Sequence, residues 1–235
     1  PPATRTDNVK DILHGVEIVD PYRWLEDQNS AETRTWLDAE NEYTRSILNT
    51  LAGRNEIKQR LEQLSRIDVV GFPFARGGRY FFSKRSSNQD LFVIYMRKGL
   101  KGEDEVLLDP HPMSPDHTVS VGLRDVSKDG TLLAYQVREG GADETTIHFM
   151  DIDSRKNLAD QMPKGRYFSI SMMPDKSGFY YSRLEKEGPR VYYHPMGTDL
   201  STDKEIFGEG YGPDKIIGAG VSDDGRYLLI NVFHG

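Results

Sequence analysis

The residues of this 235-residue chain that can do chemistry are its serines, six histidines and thirty-seven carboxylates. A serine nucleophile needs a neighbouring base and an orienting acid, and in hydrolases it often sits in a Gly-x-Ser-x-Gly elbow between strand and helix. No such pattern occurs in this sequence. Ser127, Ser177 and Ser222 instead stand in the turn-like stretches "VSKDG", "PDKSG" and "VSDDG". The absence of cysteine removes thiolate nucleophiles, disulfides and thiolate metal sites. The stretch "DPHPMSPDH" gathers Asp109, His111, Asp116 and His117, which could be drawn as metal ligands. Its prolines mark it as a loop between extended segments, and no metal is expected there. Glu26 and Asp27 are adjacent, and neighbouring residues on a helix do not face one another, so they make no acid/base pair. "ARGGRY" is a hairpin turn and not a phosphate cradle.

The charges are interspersed and sum to -7. That pattern gives neither a nucleic-acid footprint nor a surface drawn to membranes. No apolar stretch approaches the ~20 residues that a bilayer span requires, and the polar start "PPATRTDNVKD" has no signal-peptide core.

Two regions of different character would have to position any site. Residues 1–70 form a helical segment after an extended start. Asp20 is placed to cap a first helix with Pro21 at its first position. Ser30 caps a second, with Glu32 in its first turn. Trp36, Ala39, Tyr43, Ile47 and Leu51 then recur at three- and four-residue steps, which is one apolar stripe. Gly53 ends it. Asn55 is placed to cap a third helix with the stripe Ile57, Leu61 and Leu64. Such stripes need something to pack on.

Residues 71–235 change to a period of two, punctuated by Gly, Asp and Pro. Gly78, Gly130, Gly178 and Gly225 each precede an apolar or aromatic strand and recur about every 50 residues. Further extended segments lie between them, so the unit is about four strands, the size of a propeller blade. The span holds about three blades and part of a fourth, whereas closed propellers have 4–8. The final apolar strand, Tyr227 to Phe233, would be a bare edge. The expected fold is mostly β, an incomplete propeller after a helical segment, as in one piece of a longer polypeptide.

"HGVEIVDPYRWLED" (His14 to Asp27) resembles the N-terminal signature of the prolyl oligopeptidase family of serine peptidases. The likeness continues in order through "GGRYFF", "VLLDP", "DGTLLAYQV", "TIHFMDID", "VYYHPMGTD" and "SDDGRYLL" and covers essentially the whole chain. It implies a seven-bladed propeller capping an α/β-hydrolase domain to which the N-terminal helices belong. It implies serine-type cleavage of short peptides after proline, with no cofactor and with the propeller gating access. The triad lies downstream in the family, so no catalytic residue falls in this span. The resemblance places Phe168, in "YFSISMMPDKSG", and Ile217, in "KIIGAGVSDDG", among substrate-lining positions; at the latter the family carries Met. Asp143 matches an acid near the domain interface, where a solvated loop residue is the simpler reading, and His14 and Gly15 would orient the N-terminal segment. The implied partners are short proline-containing peptides and the C-terminal remainder of the same protein. The competing reading is a non-catalytic propeller-type binding module with a helical adaptor. Neither compartment nor oligomeric state is legible.

Overall fold

A computed structural model describes residues 1–234, which divide into two compact units, one from Pro1 to Ser65 and one from Arg66 onward. In the first, β1 (Val9–Leu13) and β2 (Val16–Asp20) form an antiparallel hairpin. His14 and Gly15 make its two-residue turn with φ of 52° and 82°, the left-handed pair that such turns demand. The expected first helix is only a 3-10 turn, Arg23–Glu26. Asp20 is the last residue of β2 and not a helix cap: the N-cap position of the 3-10 turn is Tyr22, whose amide donates to the Asp20 carboxylate at 3.0 Å.

Helix α1 (Ala31–Leu48) begins as expected at Ser30, whose hydroxyl accepts from the Thr33 amide at 3.1 Å. Helix α2 (Arg54–Ser65) starts one residue before Asn55, so Asn55 lies within its first turn and is not its cap. Trp24 and Trp36 meet edge to face at 6.1 Å, and their indole N–H groups reach the Arg5 carbonyl and the Thr4 hydroxyl. Thr33 is the one buried residue among the described residues of this unit. Ile47, Leu51, Ile57, Leu61 and Leu64 are all exposed. The helices thus form from propensity and capping, and their apolar stripes stay uncovered.

The second unit is a fan of antiparallel sheets. The first contains β3 (Val69–Val70), β4 (Phe74–Arg76), β5 (Arg79–Arg85), β6 (Val93–Lys98) and β7 (Asp104–Leu108), with β3 and β4 both pairing β5. The second runs through β8 (Val119–Val126), β9 (Leu132–Glu139), β10 (Thr145–Asp151) and β11 (Lys156–Gly165) in order. The third runs through β12 (Tyr167–Met172), β13 (Gly178–Glu185), β14 (Gly188–Pro195) and β15 (Lys204–Phe207). A two-stranded sheet of β16 (Lys215–Val221) and β17 (Leu228–His234) follows. Three sheets and a two-stranded beginning of a fourth agree with the three blades and part of a fourth expected from the recurrence of turns.

Cores lie between successive sheets. Phe81, Ile94, Leu133 and Tyr135 fill the first layer, Phe149, Ile170, Met172 and Phe179 the second, and Val191, Ile217 and Ala219 the third. Strand alternation makes this possible. On β9, Leu133 and Tyr135 face the first layer while Leu132 and Ala134 face the second.

The turns that open the second, third and fourth sheets share one construction. Asp129, Asp175 and Asp224 each accept from the amide two residues on, and Gly130, Lys176 and Gly225 follow them with φ of 71°, 61° and 72°. In the third sheet the left-handed residue is therefore Lys176 and not Gly178, which the sequence pattern singles out. Gly178 is needed for space, because a Cβ there would stand 2.4 Å from the His194 carbonyl oxygen.

Candidate functional site

The first strands of successive sheets, β8, β12 and β16, adjoin one another, so they form the converging edge of the fan. An edge strand exposes unpaired N–H groups. Here side chains of the preceding sheet satisfy them. The Asp125 carboxylate accepts from the Met172 amide at 2.8 Å. The Ser169 and Ser171 hydroxyls accept from the amides of Ala219 and Val221 at 2.9 and 3.0 Å. Burial pushes the Asp125 carboxyl up, against the two amides that hydrogen-bond it. These three residues were not singled out in the sequence; the alternation of Ser in "YFSISMM" is the only trace they leave.

Phe168 sits on this edge, half-buried and outside the three apolar clusters. The pairing of β12 with β13 steps from Tyr167↔Arg183 to Ser169↔Ser182 and skips Phe168. A bulge of this kind re-aims the side chain of the extra residue. Gly122 and Ile217 stand the same number of residues before the left-handed residue of their own turns, so the three occupy one level on neighbouring strands. Ile217 differs from Phe168 in burial. It is fully buried, packed with Val191 and Ala219, and its carbonyl accepts from the Ser182 hydroxyl at 2.5 Å.

At the turn end of the same edge, the Lys176 ammonium lies 2.5 Å from Asp129, and Lys128 donates to the Asp223 carbonyl at 3.0 Å. Asp129 is held below the usual carboxylate range: partial burial opposes this, but bonds from Lys176, Ser127 and Thr131 prevail. The Gly77 turn and the Asp129–Gly130 turn press backbone to backbone. A Cβ on Gly77 would come within 1.9 Å of the Asp129 carbonyl oxygen.

Two histidine groups lie elsewhere. His194 on β14 is buried between Asp203, 2.6 Å from its Nδ1, and Asp160, 3.4 Å from its Nε2. The Tyr181 hydroxyl donates to Asp203 at 2.7 Å; burial first, and then this carboxylate, push the phenol up. His194 is bonded to acids and to no serine hydroxyl, so the group braces the third sheet. In the "DPHPMSPDH" loop His111 pairs with Asp109 at 2.6 Å and His117 with Asp90 at 2.9 Å, and the two imidazole rings meet edge to face at 5.1 Å. Among the described residues no group of three or more His, Asp or Glu is arranged to hold a metal ion. Asp143 is exposed and pairs with Arg166 at 3.4 Å.

The family model described as "Prolyl oligopeptidase, N-terminal beta-propeller domain" matches residues 1–235. A prolyl endopeptidase from Elizabethkingia meningoseptica is 34% identical over 98% of this chain and 34% of its own length. Prolyl oligopeptidase A from Amanita bisporigera is 27% identical over 98% of the chain and 35% of its own length. A solved structure from a study of two prolyl endopeptidases, concerned with inter-domain dynamics in catalysis and specificity, superposes with a TM-score of 0.87 at 35% identity; it covers all of this chain and 36% of the other. Prolyl oligopeptidase B from Galerina marginata, bound to a 35mer hydrolysis and macrocyclization substrate, superposes with a TM-score of 0.77 at 25% identity over 99% of this chain. The chain spans about a third of the length of the curated relatives it matches. With a matching profile from end to end and a fan of antiparallel sheets that superposes on a prolyl endopeptidase, this chain belongs to the prolyl oligopeptidase family and carries its N-terminal β-propeller region.

Proposed function

We propose that this chain is the propeller-bearing part of a serine endopeptidase that cleaves short peptides on the carboxyl side of proline. Its propeller gates access to a catalytic centre built by a further part of the same protein. The observation that carries this proposal is the match of the whole chain to the propeller region of prolyl oligopeptidases, joined to an inner edge that is already braced by Asp125, Ser169 and Ser171.

The helical segment, residues 1–70, is proposed to belong with an α/β-hydrolase domain. Its support is the exposed stripe Leu51, Ile57, Leu61 and Leu64, a face that a larger body would cover. Phe168 is proposed to line the substrate space: it is half-buried, sits at a bulge and is free of the packed layers. Ile217 is proposed at the same level one sheet on, where its enclosed side chain backs the wall rather than forming its surface. The ligands are short proline-containing peptides, such as a gate between two bodies would admit. Among the described residues no helix is long and apolar enough to cross a membrane.

The test uses the full-length protein. It should release chromophore from a proline-containing chromogenic peptide and lose that activity on treatment with a serine-directed reagent. A folded full-length protein that binds proline peptides without cutting them would support a binding module instead.

A further inference from the structure

On β9, the residues facing the layer between the second and third sheets are Leu132, Ala134, Gln136 and Arg138 in turn. The first two are apolar and join the core. The last two are polar, so the layer changes from hydrocarbon to hydrogen-bond donors along one strand. On β8 the paired positions are Gly122, opposite Gln136, and Ser120, opposite Arg138. Gly122 leaves room beside the strand, and a Cβ there would come within 3.0 Å of the Gln136 amide nitrogen.

Arg124 enters the same space. The pairing of β8 with β9 steps from Leu123↔Tyr135 to Asp125↔Ala134, so Arg124 is the extra residue of a bulge. Its guanidinium donates to the Tyr167 carbonyl at 3.2 Å. That carbonyl belongs to the peptide unit that leads into Phe168.

The charges here are unbalanced. Arg138 has a buried Nε with no hydrogen-bond partner, and neither Arg138 nor Arg124 forms an ion pair among the described residues. Arg124 bonds only to a neutral carbonyl. Burial, then the like charge of Arg138, hold it below the ordinary arginine value. Asp143, in the loop that follows β9, is paired with Arg166. Two half-buried guanidiniums that repel each other cost stability unless an anion completes them. The planar guanidinium fork suits a carboxylate.

We propose that Arg124, on the inner edge beside the Tyr167–Phe168 peptide, and Arg138, on the neighbouring strand β9, form a subsite that binds a carboxylate of a peptide ligand. The carboxylate comes from the peptide's C-terminus or from an Asp or Glu side chain. The subsite orients acidic peptides within the proposed substrate space and takes no part in bond cleavage. It rests on the peptidase reading for its ligand class but not for its chemistry.

The experiment uses the full-length protein and N-terminally labelled proline peptides in two pairs. One pair differs only in a free or amidated C-terminus. The other is amidated and differs only in Glu or Gln. Fluorescence anisotropy reads binding, and product formation in the same samples reads cleavage. Wild type should favour the acidic member of at least one pair by about tenfold, the worth of one charge-assisted pair, and the pair that responds names the source of the carboxylate. Arg138→Gln should weaken that preference. The double variant Arg124→Gln, Arg138→Gln should abolish it; the readout is the ratio within each pair, because loss of the Arg124 bond to the Tyr167 carbonyl acts on acidic and neutral peptides alike. Arg138→Lys should restore it in part, which a merely structural role would not predict. Equal binding within both pairs in wild type, or a preference that survives the double variant, overturns the subsite. Binding without cleavage would sink the peptidase assignment while the affinity ratio still judged the arginines.

Discussion

Phe168 and Ile217 show what a single residue's environment decides. Both lie at one level of the inner edge, yet only Phe168 is outside the packed layers. In the full-length protein, Phe168→Ala should raise KM for a proline peptide about tenfold with little change in kcat, as expected when an aromatic contact common to ground and transition states is lost. An unchanged KM would make the ring a packing group. Ile217→Ala should cost about 2–5 kcal/mol of stability, the range for emptying a well-packed aliphatic site. Chemical denaturation would measure that loss. The motif resemblance names both positions, whereas their difference in burial leaves no sign in the sequence. The bulge that frees Phe168 is a register event between two strands, and no residue type announces it.

Asp129 carries a pH prediction. Its folded carboxyl is held below the usual range by Lys176, Ser127 and Thr131. A depressed acid contributes stability that is fully present above the unfolded value, near 3.9, and that is lost as pH falls through the folded one. Asp129→Asn should therefore lower Tm at neutral pH and lessen the loss of stability between about pH 4 and pH 2. A variant with an acid limb parallel to that of wild type would contradict this.

At the scale of elements, the recurring Asp-containing turns set the sheets. Their period was readable because Asp and Gly report backbone conformation directly. The third turn shows the limit. Lys176 takes the left-handed place and Gly178 is kept for clearance against β14, and spacing alone cannot tell a turn glycine from a clearance glycine. Gly77 and Gly78 separate these two costs within one hairpin. Both have positive φ, but only a Cβ on Gly77 would strike the neighbouring turn. Gly78→Ala should cost about 1 kcal/mol from left-handed backbone alone, and Gly77→Ala clearly more. Thermal melts of the two variants decide the point; equal losses would mean that the two turns do not bear on each other.

The N-terminal elements were read less well. The sequence shows an extended start but not the hairpin β1–β2, because a histidine at φ 52° is an uncommon turn residue and His14–Gly15 does not announce a turn. The helix foreseen after Asp20 shortened to one 3-10 turn, since Asp20 closes a strand. Helix α1 was legible from Ser30 and its stripe because capping and period agree there.

At the scale of the molecule, the stacked sheets of the second unit bury their cores between them, and the first unit carries the exposed stripe Ile47, Leu51, Ile57, Leu61 and Leu64. Repeat architectures of this kind are held by neighbour contacts, which is why about a third of a relative's length suffices to display the family's build. On the proposed reading the catalytic residues lie outside these 235, which hold no Gly-x-Ser-x-Gly pattern, so this sequence bears on access to a site and not on its chemistry. The most direct measurement is mass-spectrometric mapping of the bonds cut by the full-length protein in a set of short proline-containing peptides, with and without a serine-directed reagent. Cleavage on the carboxyl side of proline, abolished by the reagent, is the result this account predicts. Intact peptides recovered from a folded protein that binds them, or cuts insensitive to the reagent, would contradict it.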